Sequence, residues 1–259
     1  MGVRAAVLVA LLGVTLLAGP VSGAMIYMTA ATDATEGGTV TAIKTMLEAM
    51  GHGVTVGVKP SLLTDAVDLS PYQAVILNAG ATASVPNIPD TGETSLVNFV
   101  NAGGGLVTSE LLCWTTGTNT TLATILPATR AATGALTSSQ TYLPVGPADP
   151  IIYGSLPGNV AFNVTLKSGV GGTKLAAKAG ATTFYNIDVG GTPYGSLIGW
   201  DAGDGKVITF GCLIGGGNLA SEDFKTLFSN SVAWVLPEPG TLSLLALAGA
   251  GLLFGRKRK

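Results

Sequence analysis

Three carboxyl groups follow apolar runs closely enough to share a site. Glu110 comes directly after Gly105 to Ser109, and Asp33 and Glu36 follow the run that opens at Met25. In open α/β sheets ligands bind beyond the carboxyl ends of the strands. An acid on a tight turn there can act as a general base or hold a sugar hydroxyl. A set of such groups can also bind Ca²⁺ or perform glycoside chemistry. Plainer readings take precedence. A carboxylate at Glu110 can accept hydrogen bonds from the backbone of its own turn, and Asp33-x-x-Glu36 is also the pattern of an acidic helix N-terminus.

Cys113 and Cys212 are the two cysteines and His52 is the single histidine. A thiol nucleophile needs a neighbouring base or a depressed pKa. His52 lies between Gly51 and Gly53, at a junction between a helix end and a strand, and is not placed to activate Cys113. Cys113 therefore reads as a core or disulfide cysteine. Trp114 reads as a core or rim aromatic rather than a sugar-stacking face. Gly103-Gly104-Gly105 and Gly215-Gly216-Gly217 lack the following Lys-Ser/Thr or the Gly-x-Gly-x-x-Gly spacing of a phosphate cradle. No cofactor and no metal site are expected.

The elements that must position these residues alternate. AMIYMTA reads as a first strand, and Gly37 to Met50 sets Val40, Ile43, Met46, Leu47 and Met50 on one helical face. VTVGV is a second strand and Ala74 to Asn78 a buried third. A helix from about Gly92 to Asn101 precedes a fourth strand at GGGLVTSE. That order implies a parallel sheet with helices on its faces. Residues 115–200 differ, being rich in Thr, Gly and Pro, with VAFNVTL, TKLAAKA, TTFYNI and SLIGW as short strands of a β-rich insertion. GKVITFGC resumes the core. A last helix follows from Ser221, its N-cap, to Val235, with Glu222 and Asp223 in the first turn and a stripe of Phe224, Leu227, Phe228, Val232 and Val235.

Both ends carry addresses. Residues 1–24 run from Arg4 through an apolar stretch to Ser22-Gly23-Ala24, the layout of a secretory signal peptide. Residues 236–259 hold Pro237-Glu238-Pro239, an apolar run from Leu242 to Phe254, and Arg256-Lys257-Arg258-Lys259. As a helix that run is about 20 Å long, and it spans a core of about 30 Å only with its flanks included. The basic cluster keeps the tail's end cytoplasmic.

This C-terminal trio resembles the bacterial PEP-CTERM sorting signal. The resemblance implies export, an inner-membrane-anchored precursor, processing by an exosortase near Pro-Glu-Pro, and release to the cell surface or extracellular polysaccharide matrix. Its implied partners are the export machinery, the exosortase, the inner membrane before processing and extracellular polysaccharide. Setting aside Arg4, the four terminal basic residues and Glu238 leaves eight basic and fourteen acidic residues in 25–236, a net charge of about −6. That balance disfavours a nucleic-acid partner, which needs clustered Lys and Arg. A permanently anchored periplasmic domain is the simpler alternative.

FVNAGGGLVTSE, DPIIYGSLP and GKVITFGCLIGGGNLASEDFKTLFSNSVAWV resemble the class I glutamine amidotransferase superfamily, closest to its trehalose-utilisation-protein branch. For residues 25–235 this implies a flavodoxin-like three-layer α/β sandwich with a mostly parallel sheet. The family's Cys nucleophile belongs on the turn after GLVTS, where Glu110 stands, and its His base after the later strand, where Cys212-Leu213 stand. The resemblance sets those two loops side by side and so allows a Cys113–Cys212 disulfide. The expected outcome is a non-catalytic binding or structural domain. The alternative is a carbohydrate-active or sugar-binding protein using Glu110, Asp33 and Glu36.

Overall fold

The computed structural model describes residues 23–30, 37–77, 87–133, 136, 140–145, 149–154, 162–164, 172–215 and 217–237. The signal segment through residue 22, Asp33, Glu36 and residues 238–259, with Glu238, Pro239 and the terminal basic cluster, lie outside these. No helix among the described residues is long and apolar enough to cross a membrane.

The strands are β1 (Met25–Met28), β2 (Gly53–Val56), β3 (Ala74–Leu77), β4 (Gly105–Ser109), β5 (Ala128–Arg130), β6 (Gln140–Pro144), β7 (Phe162–Val164), β8 (Leu175–Ala177), β9 (Thr182–Val189), β10 (Thr192–Ala202) and β11 (Gly205–Phe210). The helices are α1 (Gly37–Ala49), α2 (Asp90–Asn101), the short α3 (Leu111–Trp114) and α4 (Thr120–Ala123), and α5 (Glu222–Val235).

The sheet runs β2-β1-β3-β4-β11-β10-β9-β6-β7. Its first five strands are parallel, with Ile26 opposite Val54 and Ala74, and Gly105 opposite Ala74 and Lys206. Such strands are covered on both faces, which is why β3 is the uninterrupted run Ala-Val-Ile-Leu, fully buried. Alternate side chains feed two cores. Ile26, Met28, Ile76, Val107, Ile208 and Phe210 meet α1 and α5 on one face. Tyr27, Val75, Leu77, Leu106 and Val207 meet α2 on the other. Helix, sheet and helix thus form three layers.

One feature departs from the sequence reading. The sheet is parallel only as far as β11, because β10 pairs with β11 antiparallel and β9 and β6 continue in that sense. The β-rich stretch is bonded into the same sheet: SLIGW belongs to an 11-residue strand paired directly with β11. Phe184, Tyr185 and Leu197 join the α5 side, while Ala128, Leu175 and Ile198 form a smaller cluster with Cys113.

The helices form as their patterns demand. Val40, Ile43 and Leu47 of α1 are buried, but Met50 falls beyond the last turn and is 48% exposed. Gly51 follows at φ 91° and Gly103 follows α2 at φ 100°, left-handed positions that suit glycine at helix ends. Ser221 caps α5, its side chain accepting from the Phe224 N–H at 3.4 Å. The expected α5 stripe is buried and is joined by Ser231 and Trp234. Each full-sized apolar side chain sequestered this way contributes about 1.5–3 kcal/mol. Gly105 lets the end of α5 close on the sheet: a Cβ there would sit 2.4 Å from the Val235 carbonyl oxygen.

Candidate functional site

β4 ends at Ser109, and the chain passes through Glu110 straight into α3. The Glu110 backbone is ordinary right-handed helical, φ −57° and ψ −27°, so the turn stores no left-handed strain. Its side chain is 1% exposed, and neither carboxyl oxygen has a hydrogen-bond partner. The expectation that it accepts hydrogen bonds from its own turn is not met; the nearby backbone amide only offsets part of the cost of burial. Burial pushes the carboxyl up to about 8. At neutral pH Glu110 is therefore mostly a neutral acid, able to donate one hydrogen bond.

Two thiols flank it. Cys113, on α3, donates to the Ala128 carbonyl of β5 at 3.7 Å. Burial, then the Glu110 charge, push this thiol up to about 12, while Lys178 opposes the shift. Cys212, just past β11, accepts from the Tyr142 hydroxyl of β6 at 3.1 Å. Burial raises it also, with the Tyr142 hydroxyl opposing and Glu110 adding. Both cysteines are free. The disulfide that the family likeness allowed is not formed, each sulfur being turned to its own partner. Ser109 Oγ and Ser196 Oγ are also buried without a hydrogen-bond partner, although Ser196 lies close enough to Tyr142 to favour its ionised form slightly.

His52 sits at the other end of the strands. Its Nδ1 accepts the Ala24 N–H at 3.2 Å, next to the start of β1, and burial lowers its pKa. A five-residue strand such as β4 spans about 16 Å. The only histidine of the chain and its only two cysteines thus stand at opposite edges of the sheet, and no thiolate–imidazole pair can form.

Trp114 is already engaged. Its Nε1 donates to Thr173 Oγ1, and the Arg130 guanidinium lies 3.5 Å from the ring centroid, so one aromatic face is taken. Among the described residues no group of three or more His, Cys, Asp or Glu side chains could hold a metal ion. A groove of about 1020 Å³ opens at the N-terminal edge, away from Glu110, between the starts of β4 and β11 and the ends of α2 and α5.

No family model matches the sequence, and no curated protein matches it. Solved structures do match. The structure is matched by a ThuA-like protein from Parabacteroides merdae, at 11% identity and TM-score 0.57, covering 82% of this chain and 90% of that one. The described domain shares the fold of that protein. A cytoplasmic protein from Salmonella typhimurium LT2 matches at 15% identity and TM-score 0.62, covering 82% and 99%. The fold also lies within a β-galactosidase from Rahnella sp. R3, at 16% identity and TM-score 0.56, covering 83% of this chain and 33% of the enzyme. At these identities the likeness shows the fold alone.

Of the expected carboxyl set, only Glu110 falls among the described residues. Tyr142, Ser109 and Ser196 were missed. Tyr142 sits in a short strand with no clear alternation, QTYLP, and only the tertiary fold brings it to Cys212.

Proposed function

We propose that this is an exported protein, sorted by its C-terminal Pro-Glu-Pro signal to the cell surface or polysaccharide matrix, whose ThuA-like domain binds or builds rather than catalyses. The observation that carries the non-catalytic half is the separation of His52 from Cys113 and Cys212, with the buried acid Glu110 on the turn where the resembled enzymes keep a nucleophile. A thiol held at about 12 is essentially all protonated near neutrality and is no nucleophile. The sorting half is supported by the position of Pro237. Leu236 ends α5 in extended backbone and Pro237 is exposed, so the Pro-Glu-Pro motif follows the last helix directly.

Intact mass of the protein from envelope and culture fractions tests the reading. A chain starting near Met25 and ending near Pro237 is expected. An intact tail in the membrane fraction would make it a permanently anchored domain instead. Glutaminase activity in the purified domain would overturn the non-catalytic assignment.

One observation favours a second reading. Glu110 keeps two unpartnered, buried oxygens at the edge where such sheets bind ligands, and a neutral hydroxylic ligand such as a sugar would satisfy them once the surrounding loops open. Calorimetric titration with matrix oligosaccharides, repeated on Glu110→Gln, checks it: saccharide binding that the substitution weakens would favour it.

A further inference from the structure

β2 is the first strand of the sheet: β1 pairs with one side of it, and among the described residues no strand pairs with the other. The Gly53 and Gly57 N–H groups donate to the Ala24 and Met28 carbonyls on the β1 side, at 3.0 and 2.9 Å. Successive backbone groups of a paired strand face alternate sides, so those of Val54 and Val56 point outward, where a further strand would bond. The side chains there do not deter one. Val56 is 38% exposed, and Leu62, on the short turn of helix that follows, is 61% exposed. An open edge carrying such residues is a template for pairing with another chain.

Two side chains of this chain already occupy that edge. The Lys44 ammonium, on α1, donates to the Val54 carbonyl at 2.8 Å and is held there by Glu48 Oε1 at 2.5 Å. The Tyr27 hydroxyl, reaching out from β1 past Gly57, accepts the Val58 N–H at 3.0 Å. Only glycine permits this reach, since a Cβ at residue 57 would overlap the Tyr27 hydroxyl. The two caps bracket Val56, one taking an acceptor and the other a donor. A surface Lys–Glu pair adds little stability by itself. An ammonium lying on a strand edge has a larger effect on an incoming strand, which would have to bury the charge or displace it.

We propose that Lys44 and Tyr27 close the β2 edge against strand addition, and that the partner they exclude is a second copy of this chain. β2 of that copy presents the same outward groups, so two copies related by a two-fold axis would pair antiparallel and run one sheet through both domains. The caps lie apart from the Glu110 site. The proposal depends neither on export nor on removal of the tail.

The test is sedimentation velocity of the full-length chain over a range of concentrations, in detergent so that an uncleaved tail does not itself associate the copies. The unsubstituted protein is expected not to associate through β2. Lys44→Ala with Tyr27→Phe should associate at least about tenfold more tightly, because each copy then frees two backbone groups for pairing. In the associated form the Val56 N–H should exchange with deuterium more slowly. Adding Val56→Pro, which removes that outward N–H and no bond of the existing ladder, should restore the monomer. Lys225→Ala breaks the corresponding ion pair with Glu222 on α5 and should not promote association. If Tyr27→Phe disturbs the fold, the surface substitution Lys44→Ala carries the same prediction alone. A folded double variant that stays monomeric would overturn the proposal, and so would association that leaves Val56 exchange unchanged or survives Val56→Pro.

Discussion

The Tyr142 hydroxyl lies 3.1 Å from the Cys212 sulfur and donates to it, joining β6 of the antiparallel half to the loop that follows the last parallel strand. The thiol is used as a buried hydrogen-bond acceptor, and burial keeps it protonated. Cys113, pushed from 9.0 to about 12, has its thiolate fraction cut by about a thousandfold. Neither cysteine should react with a thiol-specific reagent at pH 8 in native protein, and both should react in denaturant. Fast labelling of either one in the native state would show that the Glu110 region opens.

Glu110 makes stability depend on pH in a set direction. Its carboxyl is raised from 4.5 to about 8 in the folded state, so the folded protein holds a proton that the unfolded chain releases. Stability is full below about pH 4.5 and falls by about 1.4 kcal/mol per pH unit up to about pH 8, some 5 kcal/mol as an upper order of magnitude. Glu110→Gln should flatten that slope and be the more stable protein at pH 9. Urea midpoints of the mature domain at pH 5, 7 and 9 measure it; parallel curves for the two proteins would mean that the carboxyl is solvated.

Gly105→Ala should destabilise the domain by about 1–3 kcal/mol, because its Cβ would meet the Val235 carbonyl oxygen at 2.4 Å and push the end of α5 off the sheet. Thermal melting measures the loss. If α5 is displaced, protease sensitivity should rise first near Leu236.

Ser221→Ala should cost about 1 kcal/mol by removing the acceptor for the Phe224 N–H, while Ser221→Gly costs less. Equal midpoints for Ser221→Ala and the unsubstituted protein would show that Glu222 and Asp223 alone stabilise this helix end.

The parallel half was legible because its residues repeat local rules. The apolar run Ala74 to Leu77 and the helical stripe from Phe224 to Val235 each identify an element without reference to the rest. The antiparallel half was legible as strands but not as part of the same sheet, since nothing local in SLIGW says that Leu197 will face Phe210. The site was half legible. Glu110 stood out as an acid on a turn, but its isolation from hydrogen-bond partners depends on packing. Tyr142 reaches Cys212 across 70 residues, beyond any spacing rule.

The end of α5 against Gly105 also decides how the domain would carry tension. β11 runs from the N-terminal edge to the opposite one, and α5 returns beneath the sheet to deliver Pro237 at the starting edge. A pull on the tail is therefore directed along the helix axis, sliding the whole row from Phe224 to Val235 past the strands at once rather than peeling it residue by residue. Resistance to such a load is set by the unfolding rate, and a chain held at its C-terminus has its most deeply packed helix as the first to bear it.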